Sequence, residues 1–188
     1  MSRDKFFAKR DVFVIGGAFR IMTPEGKLLL YCRQKLFKLR EDLRVYSDPE
    51  KKKEVLHIQA RQILDFSATY DVIDSETKEK IGVLRRKGLR SMIRDNWEIL
   101  DKNDNYLASI MEDSLAKAMI RRWLFNLLPQ TYYMVNSSQS RLGEIKQFFN
   151  PFIHKFSMDF SADRAKSLDR RLGLAAVILL LAIEGRQQ

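Results

Sequence analysis

Hydrophobic and polar positions along this chain follow a strand–turn–strand pattern that recurs five times. In each unit, a run of apolar or aromatic residues breaks at a polar cluster and then resumes. The clusters are rich in Asp, Asn, Ser, Pro, Gly and Lys, and most of these residue types favour turns because of their side-chain hydrogen bonds or preset dihedrals. The pattern therefore predicts five β-hairpins, at residues 19–32, 43–60, 70–84, 97–111 and 132–145.

The strands are predicted to form one closed sheet. Leu43 and Val45 alternate with Arg44 and Tyr46, which indicates a strand with one buried face. Two more strands, predicted at 11–15 and 155–160, bring the total to about twelve. Open sheet edges invite aggregation, so a sheet of this length is expected to close. We predict a single mainly β domain over residues 1–188, an antiparallel barrel wider than its own side chains can fill.

An apolar helix near the C-terminus is the candidate to fill this barrel. The predicted helix covers about 162–184 after Ser161 as a possible N-cap, and residues 172–183 are apolar on every side. Such a helix must be buried in a protein core or in a membrane. The apolar run spans roughly 18 Å, whereas the hydrocarbon core of a bilayer is about 30 Å thick. We therefore favour a central helix inside the barrel over a membrane span.

A second helix is predicted over residues 113–128, where apolar positions follow helical spacing and Pro129 ends the pattern. Lys117, Arg121 and Arg122 lie mainly on its other faces. One interpretation is a helix packed on the barrel between two hairpins, which we favour. The other is a basic amphipathic helix, anchored by Trp123, that rests on an anionic membrane.

The net charge of the chain is +10, from 34 Lys and Arg against 24 Asp and Glu. Excess positive charge attracts phosphate-bearing partners, either nucleic acid or anionic lipid headgroups, although it also serves solubility alone. The single cysteine, Cys32, excludes an intrachain disulfide and fits a reducing compartment. No secretory signal is recognisable at the N-terminus, so we expect a cytoplasmic protein.

Two basic clusters are the candidate binding residues for an anionic headgroup. Arginine matches phosphate oxygens with its planar fork and lysine acts as a point charge, so several cations at one barrel end would hold a phosphoinositide. The first cluster follows the third hairpin and the second lies on the predicted helix. The candidate residues are Arg85, Arg86, Lys87, Arg90, Arg94, Lys117, Arg121 and Arg122.

Sequence signatures of catalysis and metal binding are absent. The chain has no G-x-S-x-G, P-loop, H-E-x-x-H or C-x-x-C motif, and its two histidines, His57 and His154, are far apart. We therefore expect no enzymatic activity, no metal site and no cofactor.

The serial hairpins, the basic helix and the final apolar helix together resemble the LURP-one-related and phospholipid-scramblase-like proteins, which share the tubby C-terminal fold. The likeness rests on residues 19–27, 70–74, 111–114, 120–124 and 172–183. It implies a closed twelve-stranded barrel around a central hydrophobic helix. Tubby proteins bind phosphoinositides through basic side chains, and scramblases are linked to calcium-dependent lipid movement. This chain lacks an EF-hand-type loop and a cysteine-rich segment, so the resemblance does not extend to calcium-driven scrambling.

The function expected from these observations is a non-enzymatic, scramblase-related module that binds anionic phospholipid or phosphoinositide headgroups peripherally at a membrane surface. The alternative is a nucleic-acid-binding or protein-interaction scaffold of the same fold. Nucleic acid is the less favoured partner because no recognition-helix motif or RNP-like aromatic strand is present. We expect a monomer.

Overall fold

Twelve antiparallel strands and one helix make up the secondary structure of the described residues. The computed structural model of the protein describes residues 3–11, 17–33, 42–64, 67–86, 97–112, 130–148 and 154–184. In chain order the elements are β1 (Lys5–Asp11), β2 (Ala18–Met22), β3 (Leu28–Arg33), β4 (Asp42–Tyr46), β5 (Glu54–Leu64), β6 (Ser67–Asp74), β7 (Lys80–Arg86), β8 (Trp97–Leu100), β9 (Tyr106–Glu112), β10 (Thr131–Val135), β11 (Arg141–Phe148), β12 (His154–Asp159) and α1 (Arg170–Glu184).

Each strand pairs with its neighbours in the sequence, and β1 also pairs with β12, so the sheet closes into a barrel. Phe6 on β1 lies opposite Met158 on β12, and both side chains point into the core. Closure removes the unpaired edges that an open sheet of this length would expose. The predicted closed antiparallel barrel is therefore confirmed.

Short polar side chains build four of the five hairpin turns. In each of these turns one carboxylate or amide group accepts two backbone N–H bonds from residues further along, at distances of 2.8–3.2 Å. Such bonds satisfy donors that the strand ladder leaves free and fix the reversal of the chain. The accepting residues are Asp48, Asp74, Asp101 and Asn136.

Helix α1 fills the barrel. Every residue from Leu172 to Ala182 that carries a side chain is buried, with at most 4% of its surface exposed. The helix lies so close to β7 that a Cβ atom on Gly82 would come within 2.5 Å of the Leu172 side chain. Glycine at this position therefore allows the helix and the sheet to approach each other. Among the described residues, no helix is long and apolar enough to cross a membrane.

The structure moves two boundaries relative to the sequence predictions. The first strand lies at Lys5–Asp11 rather than at 11–15, and residues 12–15 are outside the described part of the chain. Helix α1 begins at Arg170, later than the predicted start near residue 162. Asp169 caps the helix by accepting the N–H of Arg171 at 2.8 Å, so Ser161 is not the N-cap. The predicted helix at 113–128 lies outside the described residues.

Candidate functional site

Of the eight predicted headgroup-binding residues, the structure describes Arg85 and Arg86, which lie next to each other at the end of β7. The remaining six lie outside the described residues: Lys87, Arg90, Arg94, Lys117, Arg121 and Arg122. Arg85 lies opposite Glu98 in the barrel wall, and Arg86 lies opposite Trp97. The two arginines therefore project from opposite faces of one strand.

Arg85 forms an ion pair with an almost buried carboxylate. Its Nε and Nη2 atoms donate to one oxygen of Glu98 at 2.9 and 2.6 Å. Only 6% of the Glu98 side chain is exposed, whereas 48% of the Arg85 side chain is. A carboxylate held this far from water needs a cation beside it. Arg85 thus has a structural role, and part of its charge is already neutralised.

The sequences of the segments that connect the strands differ in charge between the two ends of the barrel. The hairpin turns at 23–27, 47–53, 74–80, 101–105 and 136–140 lie at one end, the hairpin rim, and together carry seven Lys and Arg against eight Asp and Glu. The connections at 34–41, 87–96 and 113–129 join strand ends at the opposite end, the far rim. Their sequences hold nine Lys and Arg against three Asp and Glu. The excess positive charge of the chain is therefore concentrated in segments that attach to the far rim.

Carboxylates pair with many of the exposed cations on the outer wall. Arg61 donates to Asp71 at 2.5 Å and to Asp104 at 2.8 Å, and Lys80 donates to Asp104 at 3.3 Å. The hydrogen bonds from Arg61 and Lys80 lower the pKa of Asp104 to about 2. These exposed pairs offset one another's charge and offer little to an external anion.

A second group of cations on the outer wall has no such compensation. Strands β1, β12 and β11 are adjacent, and they carry two phenylalanines and three lysines that point away from the core: Phe7, Lys9, Lys146, Phe148 and Lys155. We call this set the Phe7–Phe148 face. Its two rings are 37% and 42% exposed, and they contact each other with centroids 6.5 Å apart and planes tilted by 37°.

The strand register explains why these side chains meet. Phe7 lies opposite Ser157 on β12, and the short serine side chain leaves room for Phe7 and Phe148 to meet across that strand. Lys155 lies opposite both Phe148 on one neighbouring strand and Lys9 on the other. Two lysines facing each other across a strand pair repel, so this arrangement costs stability unless an anion is near.

The three lysines of the Phe7–Phe148 face form no ion pair within the described part of the chain. Two nearby carboxylates are paired elsewhere. Asp159, in the next cross-strand row of outward-facing side chains toward the hairpin rim, pairs with Lys5 at 3.4 Å. Asp11 pairs with Arg20. Glu144 lies opposite Asp159 in that same row. The face therefore combines exposed apolar surface with uncompensated positive charge.

A buried ion cluster fixes the point where the chain enters α1. Arg170 donates to Asp163 at 2.8 Å and to Asp4 at 2.7 Å, with 6% of its side chain exposed. Burial raises the pKa of Asp163, but hydrogen bonds from Arg170, Leu168 and Ser167 outweigh burial and hold that pKa below its usual value. The cluster joins the N-terminal segment, the β12–α1 connection and the helix.

A half-open groove of about 220 Å³ lies beside this cluster, at the hairpin rim. It is lined by Arg141, Gly143, Glu144, Asp159, Ser161 and Ala162. Its one arginine stacks over the ring of Tyr133 at 3.9 Å, and its two carboxylates face each other across β11 and β12. The described residues contain no group of three or more His, Cys, Asp or Glu that could hold a metal ion. The groove therefore has one positive and two negative side chains, and its charges do not favour a particular ion.

Sequence reasoning did not find the Phe7–Phe148 face. Phe7 stands in the segment Lys5-Phe6-Phe7-Ala8, where one aromatic faces the core and the next faces water. Phe148 follows a run of alternating residues on β11 and was not separable from the core positions. The signal that could have found it is a phenylalanine at a position that faces water on each strand, because it breaks the expected alternation of buried apolar and exposed polar residues.

The fold defines the class of protein: a helix-filled antiparallel β-barrel of the tubby-like type. A model of the LURP-one-related family matches residues 5–180, and the chain belongs to that family. A protein from Arabidopsis thaliana, solved by X-ray crystallography, has a similar fold with a TM-score of 0.50 and 12% sequence identity. The likeness covers 97% of this chain and 92% of the plant protein. No curated protein matches the sequence significantly.

Proposed function

We propose that this protein is a non-enzymatic, peripheral module that binds anionic phospholipid, including phosphoinositide, at a membrane surface. The observation that carries the proposal is the difference in charge between the two rims of the barrel. Three far-rim connections, 34–41, 87–96 and 113–129, hold nine Lys and Arg against three acids in their sequences, whereas the five hairpin turns hold seven against eight. A barrel with one cationic end orients that end toward an anionic surface.

The strand order supports a shared location for the two predicted basic clusters. The first begins at the end of β7 and the second belongs to the segment that follows β9, with only β8 between these two strands in the sheet. Both strands end at the far rim, at Arg86 and at Glu112. Each cation near an anionic surface contributes on the order of 1 kcal/mol, so useful affinity needs several of them within one region. The strand order supports that requirement.

The filled interior supports binding at the surface rather than chemistry inside the barrel. Side chains of α1 occupy the space that an open barrel would offer to a small molecule. Elsewhere on the outer wall, Arg61 and Lys80 are already paired with carboxylates, whereas the Phe7–Phe148 face, whose lysines form no described ion pair, reaches the far rim. The far rim is therefore the region best suited to an extended anionic partner.

The test is co-sedimentation of the full chain with phosphatidylcholine vesicles that contain no anionic lipid, phosphatidylserine, or a phosphoinositide. The far-rim variant Lys87→Gln/Arg90→Gln/Arg94→Gln is compared with a charge-matched variant of the hairpin rim, Lys27→Gln/Lys52→Gln/Lys102→Gln. Arg85 is left unchanged because it forms an ion pair with the buried Glu98 carboxylate.

We expect binding to require anionic lipid and to weaken as salt rises from about 0.05 M to about 0.5 M. The far-rim variant should lose roughly 100-fold in affinity, the effect of three cations near the surface, and the hairpin-rim variant should lose far less. Equal losses in the two variants, or equal binding to vesicles without charge, would contradict the proposal. Duplex or single-stranded DNA that binds in place of vesicles, with a steep salt slope, would favour a nucleic-acid partner instead.

A further inference from the structure

The Phe7–Phe148 face has an unusual combination of properties for the outer wall of a barrel. Its two rings keep 37% and 42% of their surface in water, although they are large apolar groups. Lys9 and Lys155 lie directly opposite each other with no described carboxylate paired to either. Water solvates the lysines but not the rings, so a partner that is both apolar and anionic would stabilise the whole face.

We propose that the Phe7–Phe148 face is a membrane-inserting surface, in which the two rings enter the interfacial layer and the three lysines contact lipid phosphates. The inference rests on the proposed function, and it names the part of the barrel wall that touches the bilayer. The headgroup layer combines apolar carbon just below the phosphates with negative charge above it, which matches the arrangement of rings and amines.

The position of the face suits this role. Phe148 is the last residue of β11, and Lys155 lies at the start of β12, so both are near the far rim. Lys9 lies in the same row across the sheet. A bilayer that contacts this part of the wall also lies close to the strand ends from which the basic connections leave.

Other occupants of the face fit less well. In a symmetric dimer the same patch meets itself, which would bring Lys9, Lys146 and Lys155 against their own copies. Single-stranded nucleic acid needs separated rings on which bases stack, whereas Phe7 and Phe148 contact each other at a tilt of 37°. An acidic protein would satisfy the lysines but gains less from two closely packed rings. A lipid surface satisfies both kinds of side chain.

The first test uses the double variant Phe7→Thr/Phe148→Thr, because threonine retains strand propensity and removes the apolar ring. Tyr106→Thr is the matched control, since Tyr106 is the other large apolar side chain that the described chain exposes, at 41%. It lies at the start of β9, at the hairpin rim. With phosphatidylcholine–phosphatidylserine vesicles, we expect the double variant to bind about 25-fold more weakly, roughly fivefold for each ring, and the control to bind within about twofold of wild type.

The second test places a polarity-sensitive dye on the face. Phe7→Cys and Tyr106→Cys are labelled through the new thiol, because native Cys32 is buried with 1% of its surface exposed and will not react. We expect anionic vesicles to shift the emission of the dye at position 7 to the blue and to leave the dye at position 106 unchanged. A blue shift at position 7 shows insertion directly and is independent of the overall affinity.

The outcomes separate this inference from the proposed function. Wild-type binding to anionic vesicles, together with loss in the double variant and a blue shift at position 7, would support both. If wild type binds but the double variant binds equally well and the dye does not shift, the face is not the contact surface and only this inference fails. If wild type does not bind anionic vesicles at all, both fail together.

Discussion

Replacing Arg170 with methionine tests whether the buried ion cluster holds α1 in the barrel. The Arg170 guanidinium donates to the carboxylates of Asp163, at 2.8 Å, and Asp4, at 2.7 and 3.0 Å. It also donates to the carbonyl oxygen of Leu168 at 3.0 Å and lies 5.2 Å from the ring centroid of Phe160. Only 1% of the Asp163 side chain is exposed, so the substitution leaves a buried carboxylate without its cation. Breaking a buried pair in this way costs about 3–5 kcal/mol, a large part of the stability of a single domain.

The expected result is therefore a drop of about 3–5 kcal/mol in the free energy of unfolding, measured by urea titration with fluorescence as the signal. The control is Arg164→Met, which removes an exposed arginine from the same connection and should change stability by less than about 0.5 kcal/mol. Adding Asp163→Asn to Arg170→Met should recover part of the loss, because the unpaired charge disappears. A loss below about 1 kcal/mol in Arg170→Met would refute the view that this cluster fixes the helix entrance.

Three further predictions follow from individual contacts. Gly82→Ala should lower stability by about 1–3 kcal/mol, because the new Cβ would lie 2.7 Å from a backbone carbonyl oxygen. Adding Leu172→Ala to this variant should relieve only the crowding with the Leu172 side chain. Burial raises the pKa of Cys32 to about 12, so a thiol reagent should modify this residue in guanidinium chloride but not in the native protein at about pH 8. Arg61 lowers the pKa of Asp104 to about 2 in the folded state. The ionised Asp104 carboxylate therefore stabilises the fold fully above the unfolded pKa of about 3.9, and this stabilisation is lost as the pH falls toward about 2. The urea midpoint of unfolding should decline across that pH window, and it should decline less in Arg61→Gln.

The barrel was predictable because its signals are local. Turn-forming clusters and alternation lie within stretches of a few residues, and the side-chain bonds of Asp48, Asp74, Asp101 and Asn136 show that the chemistry of those clusters builds the turns. The apolar run of α1 is equally local, and its length favoured a core position. Closure then followed from the cost of open edges, without knowledge of any particular register.

The helix start and the contact between Phe7 and Phe148 could not be predicted because they depend on distant partners. Residues between Ser161 and Asp169 have sequences compatible with a helix, but Asp163 accepts the N–H groups of Ser167 and Leu168 in a turn that Arg170 and Asp4 complete. Asp4 is near the opposite end of the chain. Sequence patterns carry no information on such a pairing. The same holds for the two rings, which meet only because β1 and β11 both pair with β12.

The two exposed phenylalanines also bear on how binding and stability are divided in this fold. Barrel closure and the filled interior need only the inward-facing side chains, so outward positions of β1, β11 and β12 are free to vary at little cost to folding. Threonine or lysine at those positions would keep the strands and improve solubility. Two exposed apolar rings beside a repelling lysine pair therefore point to a use outside the folded core. If Phe7→Thr/Phe148→Thr matches wild type in stability but loses vesicle binding, the face serves the membrane. If the double variant loses stability instead, the two rings stabilise the barrel and have no separate role at a membrane.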